Sequence, residues 1–448
     1  GVAQNTYNTG IWSKMDIQER SHIMNNIAYT LKNHLNIFAF KESVQTGRPI
    51  KEMEAQMTRL PEWFEYYASL IRSKVDTCLP FKGDFVNYVK REPLGVVAQI
   101  TPWNHPLLIS IKKLAPAIAA GNSVVIKPSE LAPCSILEFV KLCESSGLPK
   151  GVINVITGYG PTTGKYLCND SRISKIDFTG GTDTGRIIGE MAGRNITGMI
   201  SELGGKSPMI VFDDVDIADV VNGTVFGSFI ASGQTCIAGS RLLIQKGIYD
   251  KFVDKFVEKV KNIKVGDPLD NNTQMGPVIS EQQLNKIDQM VKNAKKEGAK
   301  VLCGGNIINN QLNGYYYEPT VLEVEPHMEI FQEEVFGPVV VVHKFTDEKN
   351  AIELANNSEY GLGASIWTNN IKIGHRIADN IDAGIIWIND HHKNDPCSPW
   401  GGFKNSGIGR ENGIEAFHEY TQTKSIIVNY SSNTTDWFSN SNSNVRYS

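Results

Sequence analysis

The feature that most constrains this chain is a repeated exchange of short, fully apolar runs for segments of helical period. GVVAQI (95–100) is bounded by Gly95 and the turn-rich TPWNHP, and reads as a strand buried on both faces. LLISIKKLAPAIAAG (107–121) follows with helical spacing and stops at Gly121. The exchange continues through SVVIKP (123–128), the helical ELAPCSILEFVKLCESSG (130–147), GVINVITG (151–158), helical KYLCND (165–170), KIDFTG (175–180) and helical GTDTGRIIGEMAG (181–193). Such a pattern closes as a parallel sheet clothed by helices. A second series, from about 205 to 405, carries strands SPMIVF, SRLLIQ, PVVVVHKF, GASIWT and GIIWIN between helices around VVNGTVFGSFI, YDKFVDKFVEKVKNI, EQQLNKIDQMVKNAKKEG and EKNAIELANNS. It predicts a second α/β domain.

The flanks differ. Residues 11–78 have helical period, with Asp16 as an N-cap ahead of Glu19. FVNYVKR (85–91) and EYTQTKSIIVNY (419–430) alternate as exposed strands, and the Asn/Ser-rich tail 431–448 is expected to be disordered. The chain has 448 residues, 41% of them hydrophobic, enough for two or three domains. Its 44 basic and 48 acidic residues nearly cancel, which leaves no electrostatic footprint for nucleic acid or an anionic membrane. No run is long and apolar enough to span a bilayer, and the first residues lack a signal-peptide pattern. Seven widely spaced cysteines without a CxxC pair argue against a disulfide framework or a metal site, and for a reducing, cytoplasmic setting.

Four stretches place reactive or anion-handling groups at strand ends or tight turns. FIASGQTCIAG (229–239) holds Cys236 just after a Gly-Gln-Thr turn. A lone cysteine is most often a small buried hydrophobe; a turn that sets the sulfur among backbone N–H dipoles makes it a nucleophile instead. SELGGKSP (201–208) sets Glu202 past an apolar strand end, as a surface acid or as a general base given room to swing by its glycines. TPWNHP (101–106) brackets Asn104 with prolines, which suits plain turn chemistry or an amide held as an oxyanion donor. KPSE (127–130) and FTGGTDTG (178–185) follow buried strands, where open sheets bind nucleotides, and Gly180 and Gly185 permit a pyrophosphate close to a helix N-terminus.

In order, PWNHP, KPSE, FTGGTDTG, ELGGKSP, GQTC, GDPLD, EEVFGPV and SPWGGFKNSGIGRENG resemble the aldehyde dehydrogenase superfamily, from about residue 12 to about residue 430. Glu202 precedes Cys236 by 34 residues, which also fits the family pattern. The resemblance implies an α/β fold with a Rossmann-type parallel-sheet NAD-binding domain (1–74 and 94–204), a catalytic domain (205–405), and a small β oligomerisation element (75–93 and 406–430). It implies Cys236 as the nucleophile, Asn104 and the Cys236 N–H as oxyanion donors, and Glu202 as the base that hydrolyses the thioester. Lys113 and Glu411 would be a proton-relay pair behind that base. The presence of Glu202 favours hydrolysis over acyl transfer to coenzyme A.

For the cofactor, Lys127 and Glu130 match positions near the adenine ribose, where a carboxylate favours NAD over NADP. Thr101, Trp103, Ser129, Gly180, Gly181, Gly185, Leu203 and Gly204 match the cofactor path, and Glu334 and Phe336 the nicotinamide ribose and ring. Gly181 stands where many relatives have a phosphate-contacting serine. The substrate pocket departs most from the family. His105 replaces a common aromatic, Lys112 a common tryptophan, and Arg59 an apolar residue, while DHHKNDPCSPW (390–400) supplies His392, Asn394 and Trp400. Thr235 and Ile237 flank the nucleophile. The expectation is a polar, partly cationic pocket mouth for a small-molecule aldehyde such as a semialdehyde or a hydroxylated aromatic aldehyde. The alternatives are a betaine-type or broad-range enzyme, and an inactive structural homologue. FVNYVKREP and EYTQTKSIIVN match the family's assembly strands, so a homodimer or homotetramer is expected. Cys236 also lies several tens of residues nearer the start than is usual, so a family segment that packs on the cofactor domain is expected to precede Gly1 or to be missing.

Overall fold

The computed structural model describes residues 1–309, 313–432 and 438; the tail expected to be disordered lies largely outside the described residues. Two sheets dominate. The first runs, in spatial order, Gly407–Ile408, Gly198–Glu202, Ile173–Thr179, Val96–Thr101, Ser123–Pro128 and Ile153–Val155. All neighbours are parallel except the short Gly407–Ile408 edge. The chain starts this sheet at Val96–Thr101, builds outward on one side, then returns to the other at Ile173–Thr179. That reversal opens a crevice beyond the carboxyl ends of these two strands, the place where open α/β sheets bind ligands.

The second sheet runs Lys300–Cys303, Thr320–Glu323, Val339–Phe345, Gly239–Gln245, Ser207–Val211, Gly363–Trp367 and Ile385–Ile388, parallel apart from the Lys300–Cys303 edge. Its central strands are buried along their length, which is why they read as unbroken apolar runs. A third, antiparallel sheet joins Thr77–Leu79, Phe85–Pro93 and Thr421–Asn429, with mostly solvent-facing side chains.

Asp16 caps the helix Ile17–Lys32 as the sequence predicts, its Oδ1 accepting from the N–H groups of Gln18 (2.8 Å) and Glu19 (3.4 Å). The helical reading of 11–78 resolves into four helices and ends early, because Thr77 and Cys78 join the third sheet. The helices Val2–Thr9 and Ile371–Ala378 and the strands Lys300–Cys303 and Thr320–Glu323 were not read from sequence. Those two strands are only four residues long, too short for a period to declare itself. The stretch 406–420, grouped by sequence with the assembly strands, supplies the edge of the first sheet, and its Ala416, Phe417 and Tyr420 pack into the core beside Trp12 and Trp63. Among the described residues no helix is long and apolar enough to cross a membrane.

Candidate active site

Cys236 follows a backbone held in an unusual shape. Ala231, Ser232 and Gly233 all have positive φ (54°, 55° and 70°), a left-handed run that L side chains adopt at a cost of about 1–3 kcal/mol each. Contacts from several elements hold the run in place. The Ala231 N–H donates to Glu52 Oε2 (3.3 Å), Ser232 Oγ donates to the Gly276 carbonyl (3.0 Å), and Gln234 Oε1 accepts from the Ile279 N–H (3.0 Å). Gly233 is obligatory, since a Cβ there would lie 2.0 Å from the Gly337 carbonyl oxygen. The Cys236 N–H makes no hydrogen bond among the described residues. A Cβ on Gly205 would lie 2.3 Å from the Cys236 carbonyl oxygen, so the second glycine of ELGGKSP lets the Glu202 segment press against the cysteine loop.

Cys236 and Glu202 open into one cavity of about 650 Å³. All eight substrate positions read from sequence, Arg59, His105, Lys112, Thr235, Ile237, His392, Asn394 and Trp400, line it, and so does Glu411. Asn104 and Lys113 stand behind its wall. Asn104 is buried, its Nδ2 donating to the Gln234 carbonyl (2.9 Å) and keeping a second N–H. Burial, then the nearby carboxylates of Glu334 and Glu202, push the Cys236 thiol up to about 12, against the charge of Lys112. These surroundings favour the neutral thiol over the thiolate. Glu202 is 3% exposed, and among the described residues neither carboxylate oxygen has a hydrogen-bond partner. Burial and the charge of Glu411 hold it well above the ordinary carboxylate range.

Helix Pro106–Ala119 carries Lys112 and Lys113 on adjacent positions, which point about 100° apart. Lys113 reaches into the sheet, bonding Asp177 and, at 2.6 Å, Glu411 Oε1. Asp177 also accepts from the Tyr420 hydroxyl. Lys112 turns to the cavity, where it pairs with Glu411 Oε2 at 2.9 Å and lies 4.3 Å from the centroid of the Trp400 ring. Trp400 and Glu411 exchange backbone hydrogen bonds in both directions, which is why one ammonium meets both. Although burial opposes it, the two lysines hold Glu411 down to about 2. Lys113 and Glu411, paired by the resemblance, thus belong to a larger cluster with Lys112, Asp177 and Tyr420.

Of the two cations expected to make the mouth partly cationic, Lys112 is a buried group paired with Glu411, and Arg59 stays at the rim, paired with Glu62 at 2.8 Å. Burial disfavours charge on the histidines of the cavity. Burial, then Arg48, His392 and Lys112, lower His105; burial, then His391 and Arg48, lower His392; and burial lowers His391 to about 4. His391 Nε2 lies 2.7 Å from the Ile237 carbonyl, tying the 390–400 loop to the residue after the cysteine.

Sequence reasoning missed Arg48, Glu52 and His391. Arg48 is buried, bonds Glu52, and reaches His105 Nδ1 (2.6 Å) and the Asn104 carbonyl (3.4 Å), so it supports the asparagine loop from below. No local pattern marks Arg48 in QTGRPI. Arg48→Met strands the Glu52 carboxylate, so a loss of about 3–5 kcal/mol in urea unfolding is expected.

The crevice of the first sheet holds the remaining positions. Thr101 ends one strand and Thr179 another, with the Thr179 hydroxyl buried, without a partner among the described residues, and its residue shared with the wall of the Cys236 cavity. Gly180 follows, and helix Thr182–Asn195 begins at Gly181, where an added Cβ would meet open space. Gly185 one turn on packs against Leu203. Lys127 pairs with Glu130 at 3.3 Å across Ser129. Trp103 meets Phe336 edge-on at 5.3 Å, and Glu334 accepts from the Gly205 N–H at 2.9 Å, beside Gly204. An open helix N-terminus, an orphan hydroxyl and a carboxylate–ammonium pair at a strand-reversal crevice fit a dinucleotide.

Comparison with known proteins agrees with this geometry. The profile described as "Aldehyde dehydrogenase family" matches residues 2–426. The chain is 40% identical over 433 residues to the peroxisomal aminoaldehyde dehydrogenase 1 of Pisum sativum, covering 95% of this chain and 86% of that protein. It is 39% identical over 444 residues to the betaine aldehyde dehydrogenase of Bacillus subtilis, covering 98% and 90%. The crystal structure of betaine aldehyde dehydrogenase from Staphylococcus aureus in complex with NAD+ superposes with a TM-score of 0.96 at 40% identity, over 98% of this chain and 88% of that one. Profile, relatives and superposed structure span both sheets and the cavity between them, and the chain belongs to the aldehyde dehydrogenase family.

Proposed function

We propose that this protein oxidises an aldehyde to its carboxylic acid with NAD+, through a covalent intermediate on Cys236. The observation that carries the reading is the placement of Cys236 and an unpartnered, buried Glu202 in one cavity, with the Asn104 amide behind it. The thiol is neutral at rest, so attack begins with loss of its proton, which an ionised Glu202 is placed to accept. Sulfur then bonds to the carbonyl carbon, and the oxygen that gains charge meets the free Asn104 N–H and the Cys236 N–H. When bound, the dinucleotide supplies the hydride acceptor that turns the thiohemiacetal into a thioester. Lys127, Glu130 and Ser129 would hold its adenine ribose, Gly180, Gly181 and the helix they open its phosphates, and Thr101, Trp103, Glu334 and Phe336 its nicotinamide half. Glu202, its first proton lost to water, then draws a proton from the water that attacks the thioester. The C–S bond breaks, the acid leaves and Cys236 is restored.

The substrate is a polar aldehyde without a positive charge, a semialdehyde or a hydroxylated aromatic aldehyde. Neutral histidines offer hydrogen bonds, and the Trp400 face that would attract an ammonium is already covered by that of Lys112. A betaine-type activity is the second reading, favoured by the names of the relatives. In a panel followed by NADH absorbance, kcat/KM for 4-hydroxybenzaldehyde or succinic semialdehyde is expected to exceed that for betaine aldehyde by about tenfold or more, about 1.4 kcal/mol. Equal or better use of betaine aldehyde would overturn the substrate reading. The protein is also proposed to work in the cytoplasm as a homodimer or homotetramer. Among the described residues strand Thr421–Asn429 pairs on one side only, and its edge with exposed Ile427 and Val428 suits a second subunit.

A further inference from the structure

Glu202 faces charged or titratable groups from four directions. Lys112 and Lys113 come from helix Pro106–Ala119, Asp177 from strand Ile173–Thr179, Glu411 from the loop after Gly407–Ile408, and Cys236 from the opposing loop. Asp177 and Glu411 each accept an ammonium, while Glu202 accepts nothing. Two ammonium groups therefore serve three carboxyl groups, and Glu202 is the surplus acid. Lys113 is fully buried and committed to its two carboxylates. Lys112 gives one N–H to Glu411, rests its charge on Trp400, and as a three-donor group keeps an N–H that no carboxylate claims. It alone of the two lysines lines the cavity with Glu202 and Cys236.

We propose that Lys112 is a positioning residue for hydrolysis of the acyl-enzyme, its ammonium serving as the counter-ion that lets Glu202 act as a carboxylate beside Glu411. The proposal rests on the reading of Cys236 as nucleophile and Glu202 as base. In the step it serves, water oxygen bonds to the thioester carbon, the water proton passes to Glu202, the C–S bond breaks, and the electron pair leaves on sulfur. Lys112 also opposes the burial and the Glu411 charge that raise Glu202.

The test needs no NAD+. An activated ester, p-nitrophenyl acetate, acylates a nucleophilic cysteine directly, releasing p-nitrophenolate in a burst, after which deacylation sets the steady rate. In the full-length protein, Lys112→Met is expected to keep the burst amplitude and lower the steady rate about tenfold at neutral pH. It should also move the acid limb of that rate up by about one pH unit, with recovery at alkaline pH. Lys112→Arg, which keeps the charge, should leave the limb in place. If Lys112→Met fails to fold, Lys112→Trp fills the same space over Trp400 and carries the same prediction. An acid limb unmoved in the folded variant, or a loss equal at every pH, would overturn the proposal. Absence of a burst in the wild type would instead remove the acyl-enzyme reading, and this proposal with it.

Discussion

Cys236→Ala is expected to lower kcat/KM for aldehyde oxidation by roughly 10⁴-fold or more, while the unfolding midpoint and NAD+ affinity stay close to wild type. Without sulfur there is no thiohemiacetal, and the cavity retains only the Asn104 amide and the Cys236-position N–H to polarise the carbonyl. Little stability is at stake, because the left-handed run before the cysteine is held by Glu52, Gly276 and Ile279 rather than by the thiol. The wild-type rate should rise with pH on its acid side, since burial and neighbouring carboxylates keep the thiol protonated and ionisation favours attack. NADH absorbance measures both effects, and a residual rate within tenfold of wild type would exclude the covalent route.

Glu202→Gln should give the second-largest effect, with a different signature. Turnover is expected to fall by about 10²–10⁴-fold, yet one NADH per active site should still form, more slowly, in a single burst. The amide is nearly isosteric with the acid and enters a site where neither oxygen had a partner, so folding should be unaffected. Because the base form of Glu202 grows with pH from a raised starting point, the part of the acid limb that Glu202 sets should be lost in the variant, while the part set by the Cys236 thiol remains. Rapid-mixing absorbance separates burst from turnover. Loss of the burst amplitude together with turnover would place Glu202 in acylation alone.

Much of this site is legible in sequence because each group sits at the end of a short apolar strand or in a turn beside it. Glu202 closes Gly198–Glu202, Lys127 lies at the end of Ser123–Pro128, and Asn104 bridges Val96–Thr101 to the next helix. Burial of a strand and reactivity at its end are local properties, and they leave local marks. Pairings leave none. The partners of Arg48 are close in sequence (Glu52) and distant (Asn104), and Lys113 meets Glu411 across 298 residues. Asp177 is the instructive case. An acidic residue inside KIDFTG, fully buried, calls for a cation, a hydrogen-bond donor or a proton of its own; only the fold says that the partners are Lys113 and Tyr420. The polar character of the pocket was readable, but its charge state was not, since Lys112 and Arg59 are neutralised by residues from other parts of the chain or the same helix turn.

The first sheet takes its edge strand from Gly407–Ile408 and part of its core from Ala416, Phe417 and Tyr420, although its other strands end by Glu202. A nascent chain therefore cannot complete the first sheet when that sheet's main strands have emerged from the ribosome. It must wait until every strand of the second sheet has been synthesised, with one sheet edge and the buried Asp177 lacking their late partners in the meantime. Synthesis runs N-terminal first, but completion of this fold runs the other way: the second sheet, whose strands all lie within 207–388, has its full set of strands before the first sheet has its last.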